Sequence, residues 1–125
     1  MKVLTDTHTL VWAISNPDVL GAEARVALGG SPFTASVANF WELVLKSSKP
    51  GALIGDPVPW WTKYVTQPGI PALAIRTTHI HALAALPELH KDPFDRILVA
   101  QAIAEGLTLV SKDAVLARYG VPVIW

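Results

Sequence analysis

Apolar residues in this chain fall into short buried runs and helical stripes, without the strict alternation and two-residue turns of hairpins. Val3-Leu4 starts a brief strand that stops near Asp6. Asp6 or Thr7 then caps a helix through Leu10, Val11, Trp12 and Ile14. Asn16-Pro17-Asp18 is a turn, followed by a helix with Leu20, Ala24 and Leu28 that ends at Gly29-Gly30. Pro32 to Ala35 reads as a second strand, and Ser36 as the cap of a helix through Phe40, Trp41, Glu42, Val44 and Leu45 to Lys49-Pro50. Residues 50–59, rich in Pro and Gly, read as a loop. Trp60 to Val65 predicts a short amphipathic helix closed by Pro68-Gly69, and 71–75 a third strand. Thr77 or Thr78 caps a helix through Ile80, Leu83 and Leu86 that stops at Pro87. A long helix to Glu105-Gly106, a strand over 107–110, a short helix through Leu116 and a fifth strand at 121–124 complete the chain. Short apolar strands alternating with helices predict an α/β fold: one central, mostly parallel sheet of about five strands between two layers of helices.

The most informative segment is His90-Lys91-Asp92-Pro93-Phe94-Asp95-Arg96, opening the long helix. Asp92 can cap the free N–H groups, and Pro93 wastes no donor at the first helical position. Asp95 sits where a capping box places its second acid. Yet Asp95 shares a face with Leu98, Val99, Ala102 and Ile103, the face that should turn inward. Capping accounts for Asp92. A carboxylate on the inward face needs a partner from elsewhere in the chain.

Composition narrows the field. With 125 residues, 51% apolar and 16% charged, the chain has the size and makeup of one folded domain, 1–125. Ten acidic and ten basic residues cancel, so any attraction for nucleic acid or membrane must come from local patches. Without cysteine there are no disulfides and no thiolate metal ligands. Neither a signal-peptide pattern nor a run of the ~20 apolar residues that span a bilayer is found, so a soluble, cytoplasmic protein with no membrane partner is expected.

Parallel sheets gather ligands beyond the carboxyl ends of their strands. There the predicted topology brings Asp6, Glu42, Asp95 and Asp113 toward one crevice. Four carboxylates together repel one another unless a cation lies among them. All-oxygen donors suit hard ions such as Mg²⁺ or Mn²⁺. Carboxylates holding such ions can bind a phosphodiester, activate water and neutralise the leaving oxygen, so the chemistry implied is metal-dependent phosphodiester hydrolysis. Each acid has a plainer reading. Asp6 and Asp113 can be helix caps, Glu42 can pair with Lys46 at i,i+4, and Asp95 can complete its capping box. His79 and His81, two apart on a helix, face different ways and make no metal pair. His8 can reach the crevice or simply face solvent, and His90 is expected to contact the loop before the cap. The five tryptophans read mostly as core or partner surface, with one of Trp60 and Trp61 facing outward.

The segments Leu4-Thr5-Asp6-Thr7-His8, Phe40-Trp41-Glu42-Leu43, Asp92-Pro93-Phe94-Asp95-Arg96 with Ala100-Gln101-Ala102, and Leu109-Val110-Ser111-Lys112-Asp113 appear in the order seen in PIN domains. The chain most resembles the VapC-type toxins of bacterial toxin–antitoxin pairs, over essentially its whole length. The resemblance implies a PIN-like three-layer α/β/α fold and a Mg²⁺- or Mn²⁺-dependent endoribonuclease. It also implies a homodimer, held inactive by a cognate antitoxin whose tail enters the active-site groove. Carried over by position, Asp6, Glu42, Asp95 and Asp113 are the catalytic and metal-binding acids, Asp6 and Asp95 the principal ligands. Thr7, Ser111 and Asp92 are candidates to orient ligands or waters, and Lys46, Arg96 and Lys112 to contact phosphate. Two other functions compete with an RNA-cleaving toxin. One is a PIN-like module that binds RNA or protein without cutting. The other is a phosphate-transfer domain, disfavoured because Asp6-Thr7-His8 lacks a second acid.

Overall fold

Three short strands at the centre of the molecule each hand over to a polar residue at the carboxyl end, and that repeated joint positions the site. The structure, a computed structural model, describes residues 2–30 and 32–125. Strand β1 (Val3–Thr5) ends at Asp6, whose carboxylate accepts the Thr9 N–H at 2.9 Å and starts α1 (Thr7–Ser15). A 3₁₀ turn at Pro17–Val19 leads to α2 (Ala22–Gly30). Strand β2 (Ala35–Ser36) runs into α3 (Val37–Lys46) through a reciprocal capping box between Ser36 and Asn39. Next come α4 (Pro57–Trp61), a widened π turn at Thr62–Thr66, β3 (Ala72–Leu73) and α5 (Thr77–Ala84). Helix α6 (Pro93–Glu105) precedes β4 (Thr108–Val110), a 3₁₀ segment at Ala114–Tyr119 and β5 (Val123–Ile124).

Strands β1, β4 and β5 form one parallel sheet in the order β1-β4-β5, and β2 and β3 form a second parallel pair. A parallel bridge between Leu4 and Thr34 joins them, with backbone bonds from Thr5 N–H to Thr34 and from Thr34 N–H to Val3. The spatial order is therefore β3-β2-β1-β4-β5. The chain leaves β1 toward one side for β2 and β3, then crosses to the other side for β4, so the order reverses at the carboxyl end of β1. That is where a parallel sheet opens a crevice.

Side chains alternate across the strands and fill two layers. Leu4, Leu109 and Val123 face α5 and α6, packing with Leu98, Val99, Ala102 and Leu116. Val3, Val110 and Ile124 face the opposite way, toward Leu20 and Ala24 with Trp12 and Trp125. A third cluster, Leu10, Val11, Leu43, Trp61 and Val65, fills the space beneath α1, α3 and α4. Gln101, fully buried on α6, accepts from Ser36 Oγ at 2.6 Å and donates to the Ala74 carbonyl at 3.3 Å, tying the β2–α3 joint to the long helix.

Strands β2, β3 and β5 are shorter than expected or shifted, and α5 is preceded by Arg76 rather than capped by Thr77 or Thr78 and ends at Ala84 rather than Leu86. Two further boundaries differ at prolines. Helix α3 ends at Lys46 rather than near Lys49-Pro50, because Ser47 N–H already bonds back to Val44 and the residue before Pro50 is steered away from helical geometry. Part of the expected 50–59 loop is helix, since Pro57 occupies the first position of α4, where a proline fits. Of the adjacent tryptophans, Trp61 is buried and stacks on Phe40 at 4.7 Å, while Trp60 is half-buried. Among the described residues, no helix is long and apolar enough to cross a membrane.

Candidate functional site

At the carboxyl end of β1, Asp6 spends both carboxylate oxygens on local work. One caps α1 and the other accepts from Ser111 Oγ at 2.5 Å, across the β1–β4 junction. Thr7 donates to Glu42 Oε1 at 2.5 Å and accepts from Asn39 Nδ2 at 3.1 Å. Glu42 is only 5% exposed on the inner face of α3, and its other oxygen lies 2.6 Å from Lys46 Nζ. The hydrogen bond to Glu42 outweighs partial burial and holds the Lys46 ammonium above its ordinary pKa. Asp92, 3.9 Å from the same ammonium, adds to that effect.

The start of α6 divides its two acids. Asp92 caps the helix by accepting the Phe94 N–H at 2.8 Å and the Asp95 N–H at 3.4 Å. In a full capping box Asp95 would return a bond to the Asp92 N–H. Instead that N–H goes to His90 Nδ1 at 3.0 Å, which leaves the Asp95 carboxylate free. With Nδ1 accepting, the neutral imidazole carries its proton on Nε2 and donates to Asp113 Oδ2 at 2.9 Å, with Asp95 Oδ2 at 3.5 Å. Asp113 caps the segment that follows it through the Val115 N–H. Burial, first, and then the charges of Asp92, Asp6 and Glu42 push Asp95 up to about 7, against a smaller opposing pull from His90.

Asp6, Glu42, Asp92, Asp95 and Asp113 all line one cavity of about 310 Å³, together with Thr7, His8, Trp12, Lys46, His90 and Lys112. The PIN domain family model matches residues 3–122. The chain belongs to the PIN domain family. Ribonuclease VapC22 of Mycobacterium tuberculosis is 29% identical over 122 residues, covering 96% of this chain and 93% of that protein. The DNA-bound VapBC structure from Salmonella typhimurium contains a chain that superposes with a TM-score of 0.73 at 19% identity, over 99% of this chain and 97% of that one. A chain in a toxin–antitoxin complex from Klebsiella pneumoniae gives 0.62 at 20% identity, over 98% and 96%. The solved structures share the fold with this PIN domain.

Within the PIN fold, the four acids expected from the sequence meet at one crevice, and Thr7, Ser111 and Asp92 hold Glu42, Asp6 and the α6 terminus as described above. Lys46 and Lys112 reach the cavity. Arg96 does not: its guanidinium donates to the Pro87 carbonyl at 2.8 Å and to Tyr119 Oη at 3.2 Å, outside the acid cluster. Arg96 follows Asp95 directly in sequence and so points about a quarter-turn away from it around the helix. Two residues were not foreseen in their present roles. Asn39 braces Thr7, and its position in the Ser36 box was the available signal. His90 was assigned to the loop, whereas it lies between two acids.

The donor set fits a divalent cation. Ligand atoms of His90, Asp95 and Asp113 lie within 4.8 Å of one another, and the acids of the cavity outnumber the two lysines, Lys46 and Lys112, that share it. While His90 Nδ1 accepts the Asp92 N–H, its Nε2 has no lone pair to offer a metal, so the carboxylates are the donors and His90 orients them. A cation held by oxygens alone is a hard one.

Proposed function

We propose that this PIN domain is a Mg²⁺- or Mn²⁺-dependent endoribonuclease, the toxin of a toxin–antitoxin pair. The observation that carries the reading is the half-buried Asp95 carboxylate, pushed up to about 7 by burial and by three neighbouring acids in one cleft. Such crowding is costly in an empty site and is relieved by a divalent ion. Relatives bearing the ribonuclease and toxin–antitoxin names support the substrate class and the antitoxin partner. Working as a cytoplasmic homodimer belongs to the same proposal.

In this reading Asp6, Asp95, Asp113 and Glu42 hold the ion, Asp95 through a carboxylate that caps no helix. When bound, the ion supplies charge to neutralise the phosphodiester and acidity to activate water. The chain's own groups do the rest. Ser111 and the Thr9 N–H fix the Asp6 carboxylate, while Thr7 and Lys46 fix Glu42. His90 aims Asp113, and Lys112 at the cavity rim meets a phosphate oxygen. No side-chain base is required.

The test is incubation of the purified chain with RNA. Cleavage that stops in EDTA and returns with Mg²⁺ or Mn²⁺ supports the reading. Cleavage that persists unchanged in EDTA contradicts its metal dependence, and no cleavage with either ion contradicts the activity.

A further inference from the structure

The cavity that holds the acids has a second wall of different chemistry. His8 is exposed on the first turn of α1, two residues after Asp6, and its ring lies 5.5 Å from that of Trp12, one turn further on. Both rings line the acid cavity, with Lys112 on its rim. Trp12 is held from behind by the edge of Trp125 at 5.8 Å. That support is fixed in turn by Gly21, where a Cβ would lie 2.4 Å from the Trp125 backbone and 2.6 Å from its indole, so no other residue fits there. Trp12 is thus anchored on the apolar cluster of Leu20 and Ala24, and the exposed His8 ring extends that aromatic surface toward the carboxylates. With zero net charge the chain has no global pull on a polyanion, so affinity has to come from local contacts.

We propose that the exposed His8 ring, backed by Trp12 at an interplanar angle of 55°, is a stacking platform for one unpaired nucleobase of a single-stranded RNA, the base adjoining the phosphate held at the acids. This rests on the nuclease reading above. Stacking uses a base's π-face, which every base has, so the platform places the strand without choosing its sequence. Lys112, exposed beside it, takes the flanking phosphate.

The experiment measures anisotropy of a labelled oligoadenylate of about eight nucleotides against an abasic ribose-phosphate oligomer of the same length and charge, with Ca²⁺ as the hard cation at the acids and gel analysis confirming that both strands stay intact. The expected result is a preference of about tenfold for the base-bearing strand. His8→Ala and Trp12→Leu remove most of that preference, Trp12→Phe keeps it, and Lys112→Ala weakens both oligomers alike. No preference in the wild-type chain, or full preference in the exposed-site variant His8→Ala, overturns the proposal even if Trp12→Leu does not fold. RNA cleavage with Mg²⁺ is scored separately. Cleavage without a His8-dependent preference removes the platform alone, and a His8-dependent preference without cleavage removes the nuclease reading alone.

Discussion

His90 takes the Asp92 N–H on one ring nitrogen and presents the other to Asp113 Oδ2 at 2.9 Å, so one imidazole both holds the capping residue of α6 and aims an acid of the cleft. His90→Ala removes the donor without touching a proposed ligand. Loss of a group that orients a metal ligand typically costs 10–100-fold, so RNA cleavage should fall by about that factor. The added cation needed for half-maximal activity should rise in parallel. Unchanged cation dependence would separate His90 from the site.

Asp95 makes apo-protein stability depend on pH. Its folded value, about 7, lies above the ordinary 3.8, so the native state binds this proton more tightly than the unfolded chain. The group's stabilising contribution is present at low pH and is lost as pH rises through about 7. In EDTA, the thermal midpoint of the wild-type chain relative to Asp95→Asn should therefore rise between pH 8 and pH 5. A flat difference contradicts the raised value.

The same proton competes with the cation. Because the carboxylate must lose it to bind, affinity for Mn²⁺ should fall by about tenfold per pH unit below 7 and level off above it. Calorimetric titration across pH 5 to 8 reads this directly.

Lys46 compensates a nearly buried carboxylate. Removing its charge in Lys46→Met leaves Glu42 bonded only to Thr7. Breaking a fully buried pair costs about 3–5 kcal/mol, and the half-exposed lysine reduces this to about 1–2 kcal/mol. Adding Glu42→Gln should recover part of the loss in denaturant unfolding.

The sequence made the scaffold of this site legible, because caps and strand ends obey local rules. Asp6, Ser36, Asp92 and Asp113 all cap the elements they were expected to cap, and the acids lie where strand ends and first turns put them. Boundaries moved where local signals were weaker, at the short strands β2, β3 and β5, at the Arg76 start of α5, and around Pro50 and Pro57. The polar connections were not legible. That Asn39 braces Thr7, that His90 diverts the bond Asp95 would have made, and that Arg96 turns to Tyr119 are decided by tertiary placement, which spacing along one chain does not encode. The His8–Trp12 pair lies between these cases, since the reach of His8 toward the crevice was legible but the Trp12 ring beside it there was not.

The most direct measurement is RNA cleavage by Asp95→Asn beside the wild-type chain, at equal concentration in Mg²⁺, with circular dichroism to confirm both are folded. Asparagine keeps the side chain's size and removes the charge that crowds the cleft. The account predicts a folded variant that no longer cleaves. A folded Asp95→Asn that cleaves RNA as fast as the wild type would contradict it.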